Sequence, residues 1–166
     1  MENKKLRLIV TYKCNKQCAG CCNKNLPVKP IKIQIEDLHK YDEIYFTGGE
    51  PSIFLDRLYR LIIKANIVIN KKYLYIADFE NIDGIIKILS IIDGITCTLH
   101  DEKDLSNFLL LDYAIKYSDK SLWLNVFKNI PIEKYTLNNN WNIRAKKWGF
   151  KAMPQNEILG ELDSLW

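Results

Sequence analysis

Cys14, Cys18 and Cys21 stand in the spacing C-x3-C-x2-C, directly after the apolar run Leu6 to Tyr12, and Cys22 follows the third. Thiolates are the usual ligands of iron–sulfur clusters. Three cysteines in one tight loop can hold three irons of a cubane cluster and leave the fourth open. An open metal position marks a reactive site more often than a structural one. A second segment, Thr47-Gly48-Gly49-Glu50-Pro51, follows the apolar run Ile44-Tyr45-Phe46. Its glycines let backbone approach a ligand closely. Its carboxylate can pair with an ammonium through a charge-assisted hydrogen bond.

Residues 14 to 21, CNKQCAGC, and residues 47 to 51, TGGEP, in that order, resemble the cluster loop and GGEP motif of the radical SAM superfamily. The resemblance implies a 4Fe-4S cluster on Cys14, Cys18 and Cys21, with S-adenosyl-L-methionine chelating the open iron. One electron then splits that cofactor into methionine and a 5′-deoxyadenosyl radical, which abstracts hydrogen from a substrate. By the same resemblance Gly48, Gly49 and Glu50 line the methionine moiety and Pro51 shapes the turn. Gly20 replaces the aromatic residue common before the third cysteine, which leaves backbone contacts to the cofactor there. Thr98, in Thr98-Leu99-His100-Asp101, matches a hydroxyl residue that contacts the methionine or ribose part. Asn125, inside an apolar strand, matches a cofactor-contacting asparagine. An external flavodoxin- or ferredoxin-like electron donor is implied.

The remaining polar residues carry two readings each. His100 could transfer a proton or bind substrate, or be a surface histidine at a strand end. Asp78 could hydrogen-bond the ribose hydroxyls or cap a helix. Asn125, if not a cofactor contact, is a core amide that must find partners. Cys22 reads as a packed bystander, because adjacent residues rarely aim both side chains at one cluster, and Cys97 as a core residue. His39 reads as a helix-face residue, and Trp123, Trp141, Trp148 and Trp166 as core or barrel-cap residues.

The elements that must position these residues alternate. Apolar runs predict strands at 6–12, 43–47, 73–78, 94–100, 122–127 and 142–148. Helical spacing fills the gaps. Ser52 can cap a helix to about Ala65 with Phe54, Leu58, Leu61 and Ile62 inward. Asn81 can cap a second with Ile85, Ile86 and Leu89 inward. A third runs from about Lys103 to Tyr117 with Leu105, Phe108, Leu109 and Ile115 buried. Residues 23–33 read as a loop, Asn138 to Asn140 as a polar turn, and 154–166 as a short helix covering the barrel end. The expectation is α/β, an open partial (β/α)6 barrel with parallel strands. A single domain spans 1–166, with its core at about 6–148 and a capping segment at 149–166. Chemistry in such folds collects at the carboxyl ends of the strands. Cys14, Gly48, Asp78, His100, Lys128 and Gly149 all fall there.

The 166 residues suggest one domain, and 48% apolar content supports a real core. A net charge of +4, with scattered lysines, gives no nucleic-acid footprint. No membrane span or targeting segment is apparent. Five cysteines, four of them at 14–22, read as metal binding in a reducing cytoplasm rather than a disulfide framework. The substrate class stays open among protein, peptide, nucleotide and small metabolite. A second enzyme reading is a glycyl-radical activase acting on a partner enzyme. Residues 17–24, QCAGCCNK, resemble the cluster loop of anaerobic ribonucleotide reductase activases. A non-enzyme reading is a structural zinc or iron–sulfur module. It leaves GGEP unexplained, and the Cys21-Cys22 adjacency suits tetrahedral geometry poorly.

Overall fold

A computed structural model describes residues 4–21, 24, 26–65, 71–127, 130–147, 153 and 156–163. Eight strands form one sheet: β1 (Lys5–Thr11), β2 (Ile31–Ile33), β3 (Glu43–Gly48), β4 (Lys71–Ile76), β5 (Gly94–Leu99), β6 (Ser121–Phe127), β7 (Asn142–Lys146) and β8 (Glu157–Leu162). Their order is β2-β8-β1-β3-β4-β5-β6-β7, and every pairing is parallel. Three α-helices are described: α1 (Leu55–Lys64), α2 (Ile82–Leu89) and α3 (Asp104–Ala114). They follow β3, β4 and β5 in turn, each forming the crossover that a parallel pair requires.

All six expected strands are present within one or two residues of their expected bounds. The tail is different. Residues 157–162, expected as part of a capping helix, form β8, which lies between β1 and β2 in register Lys5↔Glu157 and Ile31↔Gly160. Inside 23–33, expected as a loop, Ile31–Ile33 forms the short edge strand β2. Among the described residues the β/α alternation is complete after β3, β4 and β5. Among the described residues, β6 reaches β7 through a 3-10 turn at Ile132–Lys134 and no α-helix.

Helix boundaries follow local chemistry. Ser52 does not cap α1; it sits buried in a 3-10 turn at Pro51–Phe54, and its N–H donates to the Glu50 side chain. Asn81 does cap α2, its Oδ1 accepting the Gly84 N–H at 3.0 Å, a bond of about 1 kcal/mol. In α2 the inward residues are Ile85, Ile88 and Leu89, while Ile86 is exposed. In α3 they are Leu105, Phe108 and Leu111.

These helix faces pack on Leu6, Leu8, Ile44, Phe46, Leu74, Ile76, Cys97, Leu122 and Leu124 as one hydrophobic cluster. Period-two alternation sends the intervening residues to the opposite face. There the Arg7 guanidinium lies 5.0 Å from the Tyr75 ring centroid and donates to Glu157 at 2.9 Å, and Tyr45 stacks on Tyr73. This self-paired group occupies part of that face. The carboxyl ends of the strands remain as the place for chemistry. No described helix is long and apolar enough to cross a membrane.

Candidate functional site

The three-cysteine loop begins where β1 ends. The Lys13 N–H donates to Thr11 Oγ1 at 3.0 Å and turns the chain out of the sheet. Cys14 is exposed, Cys18 and Cys21 are half-buried, and none of the three is in a disulfide. Burial pushes the Cys14 thiol up from its ordinary value, with the Lys16 N–H opposing at 3.4 Å from the sulfur. Gly20 lies in an exposed turn before Cys21. Among the described residues, no three Cys, His, Asp or Glu side chains converge as a formed metal cage. Cys22 lies outside the described residues.

The Gly48-Gly49 turn is stitched to this loop. Past the end of the β1–β3 ladder, the Gly49 N–H donates to Thr11 O at 2.7 Å and the Glu50 N–H to Lys13 O at 2.8 Å. The approach leaves no room for side chains. A Cβ on Gly49 would lie 2.0 Å from Lys13 O, and one on Gly48 2.2 Å from Thr11 O. Gly48 also holds φ +129°, a conformation only glycine adopts freely. Two sequence motifs some thirty residues apart are therefore one hydrogen-bonded unit. Pro51 is buried at the start of the following 3-10 turn, where a missing N–H costs nothing.

Glu50 is 1% exposed and spans two strand ends. Its Oε1 accepts the Ser52 N–H at 3.1 Å and its Oε2 the Ala77 N–H at 2.9 Å. Burial raises its pKa to about 7, with these bonds opposing and the Asp78 charge reinforcing the shift. Burial therefore favours the protonated form of this carboxyl. A cation arriving beside it would draw that proton off.

Asp78, just beyond β4, is buried and faces the loop. It accepts from Asn15 Nδ2 and from the Glu80 N–H at 3.1 Å. It does not cap α2, which is Asn81's role. Thr98 and Asn125 are register partners on β5 and β6, and Asn125 Nδ2 donates to Thr98 Oγ1 at 3.3 Å. The other end of that amide is unsatisfied: Asn125 is 8% exposed, and its Oδ1 has no hydrogen-bond partner. A buried orphan acceptor costs about 1–3 kcal/mol unless something donates to it.

His100 follows β5, half-buried, with Nδ1 3.8 Å from Cys18 Sγ and its ring 5.1 Å from that of Phe127. Burial lowers its pKa; Asp104 opposes this, Lys16 reinforces it and Asp101 opposes it. Beside it lies a cleft of about 560 Å³, whose lining includes Lys16, Cys18, Asp78, His100 and Asp104. Of the other candidates, Cys97 is fully buried with its thiol raised by burial, as a core residue should be. His39 is exposed in a 3-10 turn at Ile35–Lys40, Trp141 is buried and Trp123 is half-buried. Lys128, Trp148, Gly149 and Trp166 lie outside the described residues.

Sequence reasoning passed over Lys16 and Asp104. Lys16 Nζ reaches Asp104 Oδ1 at 2.7 Å, and Asp104 is 6% exposed at the first turn of α3. The signal was there in part: an acid opening a helix, just past a strand end. No family model matches this chain, and no curated protein matches it.

The arrangement fits a thiolate-held cofactor on its donor set and on its unmet hydrogen-bond demand. Three cysteines outside any disulfide share one loop at the carboxyl rim. The unpaired Asn125 oxygen calls for an N–H or O–H donor that the described protein does not supply.

Proposed function

We propose that this chain is a radical S-adenosylmethionine enzyme on an open partial barrel, working in the cytoplasm with an external flavodoxin- or ferredoxin-like electron donor. One observation carries the reading. The Gly48-Gly49-Glu50 turn and the stem of the three-cysteine loop share the hydrogen bonds Gly49 N–H to Thr11 O and Glu50 N–H to Lys13 O. A structural zinc module gives no reason for a glycine turn laid against the thiol loop.

Cys14, Cys18 and Cys21 would hold the 4Fe-4S cluster, with Cys22 a bystander. When bound, the cluster and S-adenosylmethionine supply reductive cleavage to methionine and a radical that abstracts hydrogen from substrate. The chain supplies position and polarity. Gly48 and Gly49 keep side chains away from the loop stem. Glu50 offers a buried carboxyl that a cationic group would ionise. Asn125 Oδ1 offers an acceptor to an amine or hydroxyl of the cofactor. His100, whose Nδ1 lies 3.8 Å from Cys18 Sγ, would hold or move a proton at that nitrogen.

The test is anaerobic reconstitution with iron and sulfide, then strong reduction with S-adenosylmethionine present. The expected products are methionine and 5′-deoxyadenosine. A cluster that forms without cleavage sinks the enzyme reading. Zinc in anaerobically purified protein, with no brown absorption, favours the structural module.

A further inference from the structure

We infer that the Lys16–Asp104 ion pair is a positioning clamp that holds the thiol loop against the β5–α3 junction and sets Cys18 beside His100. The inference rests on the reading of Cys14, Cys18 and Cys21 as metal ligands. Lys16 lies midway between Cys14 and Cys18, so its anchor point fixes the span between two ligands.

The geometry assigns every arm of the Asp104 carboxylate. Oδ1 accepts from Lys16 Nζ at 2.7 Å, and Oδ2 accepts the His100 N–H at 3.1 Å and the Asp101 N–H at 3.4 Å. One oxygen holds the loop; the other holds the backbone that carries His100. The same carboxylate thus fixes both partners of the Cys18 Sγ to His100 Nδ1 approach at 3.8 Å. The pair is shielded, with side-chain exposures of 23% for Lys16 and 4% for Asp104, so solvent screens it less than a surface pair. Asp104 also stands in the first turn of α3, which fixes its side chain at the β5–α3 junction.

A second tie runs beside the first. Asn15, the preceding loop residue, donates to Asp78 beyond β4. Consecutive loop residues therefore reach the ends of two neighbouring strands. The stretch from Cys14 to Cys18 has no helix or strand of its own. These side-chain bonds do for it what a backbone ladder does for a strand.

The test compares Lys16→Met with Lys16→Arg in the full chain, because Asp104 also holds backbone and its loss could unfold the junction. Hydrogen exchange of residues 13–21 is measured without metal. Iron loss to a chelator and the cluster's reduction potential are measured after reconstitution. Lys16→Met is expected to speed exchange in that loop but not in β3 to β6. It is expected to lose iron on the order of ten- to a hundredfold faster, the usual scale for removing an outer support of a metal site. Its reduction potential should move. Lys16→Arg should restore both the exchange rate and iron retention. Wild-type exchange and iron retention in Lys16→Met overturn the clamp. If wild-type protein takes up no iron while Lys16→Met still frees the loop, the clamp stands and the cluster reading falls.

Discussion

Glu50 Oε2 accepts the Ala77 N–H at 2.9 Å, so a carboxyl at the end of β3 holds the end of β4. The bond joins the turn beside the thiol loop to the strand that leads into Asp78. Its pKa of about 7 against an ordinary 4.5 makes it a pH-dependent element. The folded state holds this proton more tightly than the unfolded chain does. Stability from that difference is full below about pH 4.5 and is lost as pH rises through about 7. A shift of this size corresponds to about 3 kcal/mol. Urea unfolding at pH 5 and pH 8 should show wild type weaker at pH 8. Glu50→Gln, which resembles the protonated carboxyl, should lack this component of the slope. An equal slope in both proteins removes Glu50 as its source.

Gly49→Ala tests the stitch. The added carbon would meet Lys13 O at 2.0 Å, and backbone at that distance cannot yield cheaply. Overpacking of this kind costs about 1–3 kcal/mol, and this contact belongs at the upper end. The variant should also raise the alkylation rate of Cys18 and Cys21, because the loop stem separates from the turn. Unchanged stability and unchanged thiol reactivity would show that the turn does not hold the loop.

Asp112 anchors the connection before β7. Fully buried in α3, its carboxylate accepts from the Asn138 N–H at 2.7 Å, Asn138 Nδ2 at 2.9 Å, Asn139 Nδ2 at 2.8 Å and Trp141 Nε1 at 2.8 Å. Asp112→Ala strands these donors and should cost about 3 kcal/mol or more. Burial alone would raise this pKa, but the bonds from Asn138, Asn139 and Trp141 outweigh it and hold the group below its ordinary value. Its stabilisation is therefore present above the ordinary carboxylate range and lost as pH falls through the folded value. Acid titration followed by Trp fluorescence should show a shallower loss below about pH 4 in Asp112→Asn than in wild type.

Leu162→Ala tests the tail as a strand. Leu162 is 1% exposed and joins the main core cluster, so truncation should cost about 2–5 kcal/mol. A fraying end segment would tolerate the change within about 0.5 kcal/mol.

The central strands were legible because apolar residues recur at every second position, as Ile95, Cys97 and Leu99 do. A different spacing hid β8. Ile158, Leu159, Leu162 and Leu165 stand at helical intervals, yet Leu159 and Leu162 are buried on opposite faces of a strand. The thiol loop and the glycine turn were legible as local patterns. What holds them was not. Lys16 meets Asp104 across 88 positions, and Glu50 meets Ala77 across 27. Asp112 looked like an ordinary polar residue in a helix, because its donors arrive from a turn 26 to 29 positions later.

The place of β8 in the sheet sets the order in which the two edges of β1 are covered. Arg7 of β1 and Glu157 of β8 pair across 150 positions. During synthesis β3 can dock on one side of β1 early, while the other side waits for residues 157–162 to emerge. Pairings this distant are slow to close. The strand that leads into the cysteine loop thus keeps an open edge through most of translation, and the Arg7 pair closes only when the tail arrives.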